Sequence, residues 1–361
     1  MKMLLTLAAL LPVSLAAQEM VDGPYVFYRK DDSALVRTIQ QQGDMGRSVT
    51  SVYAVADLPH LPISVPVAGH PEWAFTVTVQ PTAAPSPASY PLPEQVFVVS
   101  DIEGEFAAGR QLLLAGQVID EQYNWTFGKG HLVIAGDLFD RGTEVLPWLW
   151  LLYSLEAKAK AAGGQVQVLL GNHDIMQLNG DYRYTDARYF KHAWLLGRDM
   201  RYLFAPDTEL GRWLRSKNII EKTGGNLFMH AGFSPEILSR RLSLDKINEA
   251  CRPYYAAARK DIPDSMQLFF GAHAPFWYRG YFMPPHATED EVNATLQQYD
   301  CHTIIVGHTI TDTTLVTKYN GKVIGIDVNE HEGQHKALLI TGNSYYVMDE
   351  KGNKLLLSLS K

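Results

Sequence analysis

Cysteine is scarce in this chain. Only Cys251 and Cys301 occur among 361 residues, and neither sits in a metal-binding or redox spacing. A fold framed by disulfides or built on a thiolate metal site is therefore excluded. The pair suits an oxidising compartment and leaves two states open, one bridge or two free buried thiols. Runs of lysine or arginine are also missing, and the net charge is −7 with a pI of about 5.9. A nucleic-acid-binding surface thus has no electrostatic support. Beyond the first residues no apolar run is long enough to span a bilayer, and no internal repeat is visible.

What is present is ordinary globular material. Hydrophobic residues make up 46% and charged residues 20%, which is ample for a core. The length suits one large domain with a small one, or two of moderate size. Lys2, the apolar run Leu4 to Leu15 and the small residues Ser14-Leu15-Ala16 have the form of a signal peptide over residues 1–17, cut after Ala16 or Ala17. Loss of Lys2 takes the net charge from −7 to −8. The mature chain is expected to be exported, periplasmic or secreted if the source is bacterial, with no transmembrane segment.

Residues 22–90 read as a β-rich accessory region. Tyr25–Tyr28, Val49–Val55 and Trp73–Val79 are short and rich in β-branched and aromatic residues. Strict alternation in the last predicts a half-buried strand. The proline-rich stretch from Pro81 to Pro87 reads as a linker.

From residue 91 to about 350 strands alternate with helices, which predicts an α/β catalytic domain. Val96–Ser100, Leu132–Ala135, Gln165–Leu170, Leu227–Met229 and Thr303–Val306 are apolar strands. Helices are expected from Phe106 to about Val118, over 144–162 and within 181–220. The C-terminal part reads as strands at Leu315–Tyr319, Val323–Val328 and Ala337–Tyr346, with turns at Asn320-Gly321 and Gly342-Asn343.

Five of these strands run into polar residues beside a glycine, at Asp101, Asp137, Asn172, His230 and His308. Carboxyl ends of strands are where α/β sheets gather functional groups. Hard oxygen donors mixed with imidazoles suit Mn, Fe or Zn, rather than calcium or a thiolate centre. Asp137 in Gly136-Asp137-Leu138-Phe139-Asp140-Arg141-Gly142 is placed to bridge two divalent ions, which together orient a phosphate and lower the pKa of a shared water. Arg141 is matched to phosphate oxygens. His173 reads as a general acid whose tautomer Asp140 fixes.

The series SDIEG, GDLFDRG, GNHD, MHAG and VGHT resembles the calcineurin-like metallophosphoesterases. Within them it is similar to the phosphoprotein-phosphatase type, with the pattern GDxHG, GDxxDRG, GNHE, HGG and GHT, and to its bacterial Shewanella-like branch, whose members are often exported. The resemblance covers about residues 95–345. It implies a β-sandwich flanked by helices, and a first metal held by Asp101 and Asp137. It also implies a second metal held by Asp137, Asn172, His230 and His308, an acid pair of Asp140 and His173, and phosphate contact through Arg141. A second phosphate-binding arginine is expected after the HGG-like motif, with Arg279 the candidate. One departure matters: Glu103 stands where the family has histidine. It either ligates, making the first site harder, or points away and leaves it weak. Asp327, His331 and His335 are available to compensate, though their spacing does not demand it.

The expected activity is metal-dependent hydrolysis of phosphomonoesters by direct attack of primed water. The substrates would be phosphoproteins, phosphotyrosine among them, or small phosphate esters. Two alternatives stand beside it: hydrolysis of nucleotides or dinucleoside polyphosphates, and non-catalytic phosphate binding by a chain whose first metal site has decayed.

Overall fold

A computed structural model describes residues 19–42, 45–80 and 84–359. The signal-peptide reading of residues 1–17 lies outside the described residues, as do 81–83 of the proline-rich stretch. Strands β1 (Glu19–Tyr28), β2 (Ser33–Gln42) and β3 (Met45–Ala54) form an antiparallel meander, and β4 (Ile63–Val65) pairs with β5 (Phe75–Val77). Alternation in β5 buries Phe75 and Val77 and exposes Thr76, as its period-two pattern requires. Strand β2 was not legible, because its second half is Gln40-Gln41-Gln42. Cross-strand pairing along its whole length with β1 and β3 supplies what composition did not.

The rest is a sandwich of two six-stranded sheets. In chain order its strands are β6 (Ser89–Tyr90), β7 (Gln95–Val99), β8 (His131–Ala135), β9 (Gln165–Leu169), β10 (Ile220–Thr223) and β11 (Asn226–Met229). They continue with β12 (Thr303–Val306), β13 (Val316–Lys318), β14 (Val323–Gly325), β15 (Lys336–Thr341), β16 (Ser344–Asp349) and β17 (Lys354–Leu356). One sheet has the order β17-β16-β15-β7-β8-β9 and the other β13-β14-β12-β11-β10-β6. Val96, Val98 and Val133 of the first meet Phe228, Ile305 and Ile324 of the second in a buried inter-sheet core. Both expected turns close hairpins, with Lys318 opposite Val323 and Thr341 opposite Ser344.

Parallel pairing sets the site. β7, β8 and β9 run parallel, as do β11, β12 and β14. Each triplet therefore delivers its carboxyl ends to one edge of its sheet. Helices α1 (Phe106–Ala115), α2 (Val145–Ala161) and α3 (Asn172–Asn179) follow β7, β8 and β9. Helix α2 is apolar nearly all round because it is covered on both sides. Trp148 and Trp150 are fully buried, and the Trp150 indole donates to the Pro24 carbonyl of β1 at 2.9 Å.

Helices α4 (Ala187–Leu195) and α5 (Glu209–Arg215) complete the contact with the N-terminal strands. His192 of α4 reaches Asp22 at 2.6 Å, and Tyr28 donates to Glu209 of α5 at 2.6 Å. Tyr25, Phe27 and Ile39 belong to the same continuous core as the α2 tryptophans. Cys251 is buried, Cys301 partly so, and both are free thiols.

Candidate active site

The backbone at the strand tips is bent hard before any side chain is placed. Asp101, Glu103, Asp137, Asp140, Arg141 and His308 all have positive φ, between 44° and 77°. Non-glycine residues adopt this conformation at a cost of roughly 1–3 kcal/mol each, and it concentrates at functional sites. Gly136, at φ 95°, permits the turn out of β8: a Cβ there would lie 2.6 Å from His230 Nδ1.

Asp174 holds this turn closed. Its buried carboxylate accepts backbone N–H bonds from Gly171 (2.7 Å), Leu138 (2.8 Å), Asp137 (3.1 Å) and Phe139 (3.3 Å). The last letter of GNHD is thus the clamp that sets the GDLFD loop against the start of α3.

Around that turn four side chains come together as expected. His230 Nε2 lies 3.0 Å from Asp137 Oδ2, with Nδ1 bonded to the Ala135 carbonyl at 2.8 Å. One end of the Asn172 amide lies 2.8 Å from His308 Nδ1, 3.0 Å from His230 Nε2 and 3.1 Å from the Phe276 carbonyl. That convergence of the amide with two imidazole nitrogens and a carbonyl is a donor set that suits a cation. Asp137, His230 and His308 offer ligand atoms within 4.8 Å of one another, as do Glu103, Asp137 and His173.

Asp101 stands on the other side of Asp137. It accepts from Ser100 Oγ and from the His308 backbone N–H, the latter at 3.1 Å, and its Oδ1 is 3.9 Å from His230 Nε2. Glu103 points inward. Its side chain is buried, Oε1 accepts from Arg141, and Oε2 lies 2.9 Å from His331 Nε2.

The electrostatics call for added positive charge. Asp101, Glu103, Asp137, Asp327 and Glu330 are buried carboxylates around one cavity of about 500 Å³. Burial alone would depress His230, yet Asp137 and Asp101 outweigh it and push the imidazole up to about 10. Burial first, then Asp101, holds Asp327 protonated well above the usual carboxylate range. Burial likewise raises Asp101 and Glu330, while against burial the neighbouring histidines hold Asp137 low. So dense a set of buried carboxylates fits divalent cations, and the mixed O/N donors are those such ions accept.

The structure brings together Asp140 and His173, the two residues read from the sequence as an acid pair. Asp140 Oδ2 lies 2.7 Å from His173 Nδ1, and Asp140 Oδ1 accepts from Thr185 Oγ1 at 2.8 Å. Burial would lower His173, but Asp137 and the bond to Asp140 prevail and raise it. Arg141 lies over the Tyr184 ring at 5.5 Å, and its backbone N–H donates to the Tyr184 carbonyl at 3.1 Å. Arg279 lines the same cavity and donates from Nη1 to the His308 carbonyl at 2.8 Å.

Several contributors escaped sequence reading. Tyr184 and Thr185 come from the segment before α4, which carries no motif. Asp327 was named from the sequence as available to compensate, but not as a sixth strand end: β14 continues through the Ile326 N–H bond to Val306 and delivers it to the cavity. Its signal was present in Ile324-Gly325-Ile326-Asp327, an apolar run ending in an acid. His335 bonds Glu330, and the cavity lining includes Glu330 and His331 but not His335.

Residues 95–312 match the calcineurin-like phosphoesterase family, and the chain belongs to it. It is a metallophosphoesterase with phosphatase homologues. The crystal structure of a cold-active protein-tyrosine phosphatase from a psychrophilic Shewanella superposes with a TM-score of 0.83 at 33% identity, covering 93% of this chain and 99% of that one. Shewanella-like protein phosphatase 2 of Arabidopsis thaliana is 25% identical over 295 residues, 67% of this chain and 72% of that protein. An uncharacterised protein of Schizosaccharomyces pombe is 29% identical over 266 residues, 70% of this chain and 78% of that one.

Proposed function

We propose that the protein is an exported phosphomonoesterase that uses two divalent ions, manganese among them, and acts on phosphorylated protein, with phosphotyrosine esters favoured. The observation that carries this reading is the His173–Asp140 pair, joined at 2.7 Å, opening on the cavity that holds the convergent ligands and Arg141. Phosphate binding alone has no use for an acid so held. The likeness to the Shewanella protein-tyrosine phosphatase supports the choice of aryl ester.

Asp101, Glu103 and Asp137 would hold one ion, and Asp137, Asn172, His230 and His308 the other. When bound, the pair supplies activated water and charge neutralisation at the phosphoryl group. The chain does the rest. Arg141 and Arg279 orient the phosphate oxygens, and the Tyr184 ring, 5.5 Å from the Arg141 guanidinium carbon, helps to position it. His173 gives its Nε2 proton to the leaving oxygen while Asp140 keeps Nδ1–H in place.

A substrate panel on metal-stripped protein, reloaded separately with Mn, Zn, Mg and Fe, tests the proposal. Phosphotyrosine peptide, phosphoserine peptide, a small alkyl phosphate and a dinucleoside tetraphosphate are compared by kcat/KM. The expected order puts the phosphotyrosine peptide first. No turnover with any ion would sink the enzymatic reading, and a preference for the tetraphosphate would move the substrate class. Export is checked by locating the chain in periplasmic or medium fractions of its host.

A further inference from the structure

We propose that His331 supplies the imidazole of the first ion's shell, working with Glu103 in place of the histidine that the family pattern sets at residue 103. This rests on the two-ion reading above and goes beyond it by adding a ligand from the opposite end of the chain.

The argument begins with a likeness between the two halves of the centre. In the half that follows the family pattern, His230 Nε2 stands 3.0 Å from a carboxylate oxygen of Asp137, while Nδ1 is anchored to the Ala135 carbonyl at 2.8 Å. In the other half, His331 Nε2 stands 2.9 Å from Glu103 Oε2, while Nδ1 is anchored to Glu105 Oε1 at 2.9 Å. Metal-binding histidines have one ring N–H tied to an oxygen, which turns the other nitrogen on the ion; in both halves that other nitrogen faces a carboxylate that would share the ion. The spacing agrees as well. Two ligand atoms at right angles on bonds of ~2.1 Å stand roughly 3.0 Å apart.

The loop that carries His331 is built to hold it there. Asp327 enters the cavity from the end of β14, and the short turn Glu330–Glu332 follows, ended by Gly333 at φ 78°. Glu330 is buried and bonded to His335, which pins the turn on one side. The Glu105 bond pins it on the other.

The exchange also resolves a conflict at Arg141. Glu103 Oε1 pairs with Arg141 and lies 3.6 Å from His173 Nε2, in the space where phosphate oxygens are expected. A Glu103 drawn to an ion alongside His331 leaves the Arg141 guanidinium free for substrate. Both functions follow from one substitution of histidine by glutamate and one imidazole brought from residue 331.

The test is manganese binding by full-length mature protein, stripped of metal and titrated, with bound Mn per chain measured after gel filtration and by electron paramagnetic resonance. Wild type is expected to hold two ions with a spin-coupled spectrum. His331→Ala should keep the ion of Asp137, Asn172, His230 and His308 and lose the other, or bind it about 10–100-fold more weakly. The spectrum should become that of an isolated ion. The double variant Glu103→His/His331→Ala, which returns an imidazole to residue 103, should recover both ions. His331→Gln is the companion should the alanine variant fail to fold, and thermal unfolding of the stripped proteins checks this. Two ions at wild-type affinity in both His331 variants would overturn the proposal, as would a double variant still limited to one. Wild type that holds fewer than two ions would overturn the two-ion reading itself.

Discussion

The two halves of the centre are made differently. His230, Asn172 and Asp137 follow β11, β9 and β8 within a few residues, and each is at most 2% exposed. Their positions are set by the sheet ladder and by the Asp174 clamp. The half around Asp101 reaches farther. Glu103 lies four residues beyond β7, and its partner His331 sits on a turn with a side chain 26% exposed. A ligand on a ladder end is held by the cooperative fold, whereas one on a surface turn is held by its own few bonds. In this chain the residues that match the family pattern are those the sheet ladder holds, and the departure at Glu103 falls where the backbone has left the ladder.

The largest expected effect removes what the halves share. Asp137→Asn keeps the shape but takes the charge that both ions would use. Turnover should fall at least about a thousandfold, with bound metal lost on both sides. Metal analysis of the variant that finds both ions intact would break the comparison at its centre. His173→Ala comes next and spares both halves. Alkyl phosphates should lose roughly 10²–10⁴-fold, and aryl phosphates clearly less, because a good leaving group needs little protonation. Equal losses on the two ester types would remove His173 from the acid role. Arg141→Ala should cost about 3 kcal/mol of transition-state stabilisation, as for loss of one oriented donor. Bound metal should stay unchanged or tighten, since Glu103 loses its competing partner. Weaker metal binding in this variant would contradict that competition.

How far the sequence disclosed this site depends on the same division. Strands ending in glycine and a polar residue were legible at five places, because an apolar run that stops at a turn has a fixed local cause. The alternation of strands and helices was legible for the same reason, through continuous apolar strands such as Leu132–Ala135, whereas the sandwich was implied only by the family resemblance. The Asp174 clamp sat inside a recognised motif, yet its role depends on four N–H groups drawn from two separate loops. Tyr184 and Thr185 were invisible because nothing local marks them, and only the path of the chain into α4 brings them to Arg141 and Asp140. Strand β2 was hidden by its glutamines, and β10 by Glu221 and Lys222, polar letters that tertiary pairing overrides. His331 was named with Asp327 and His335 as available to compensate for Glu103, but nothing in the sequence singled it out. Its approach to Glu103 spans 228 residues of chain, a separation that no spacing rule covers.

The smallest predicted effect isolates the acid pair from both metal halves. Thr185 Oγ1 donates to Asp140 Oδ1 at 2.8 Å, which leaves Oδ2 for His173 Nδ1 at 2.7 Å. That division of the carboxylate fixes its plane, and with it the aim of the imidazole. His173 is raised above its ordinary value near 6.5, against burial, by Asp137 and Asp140. The protonated ring is the acid, so alkyl-ester turnover should be full below the raised value and fall as pH rises through it. Thr185→Val removes the hydroxyl that is shared between Asp140 Oδ1 and Gln177 Oε1, a loss of about 1 kcal/mol net per hydrogen bond, and no ligand. Alkyl-ester turnover should drop several-fold, its alkaline limb should move toward lower pH, and the aryl-ester profile and bound metal should hold. A uniform drop across both esters with an unmoved limb would make Thr185 a packing residue. Because cations at Asp137 would cancel most of that carboxylate's pull, Asp140 is then the group left to keep His173 charged, and Thr185 is the contact that lets it do so.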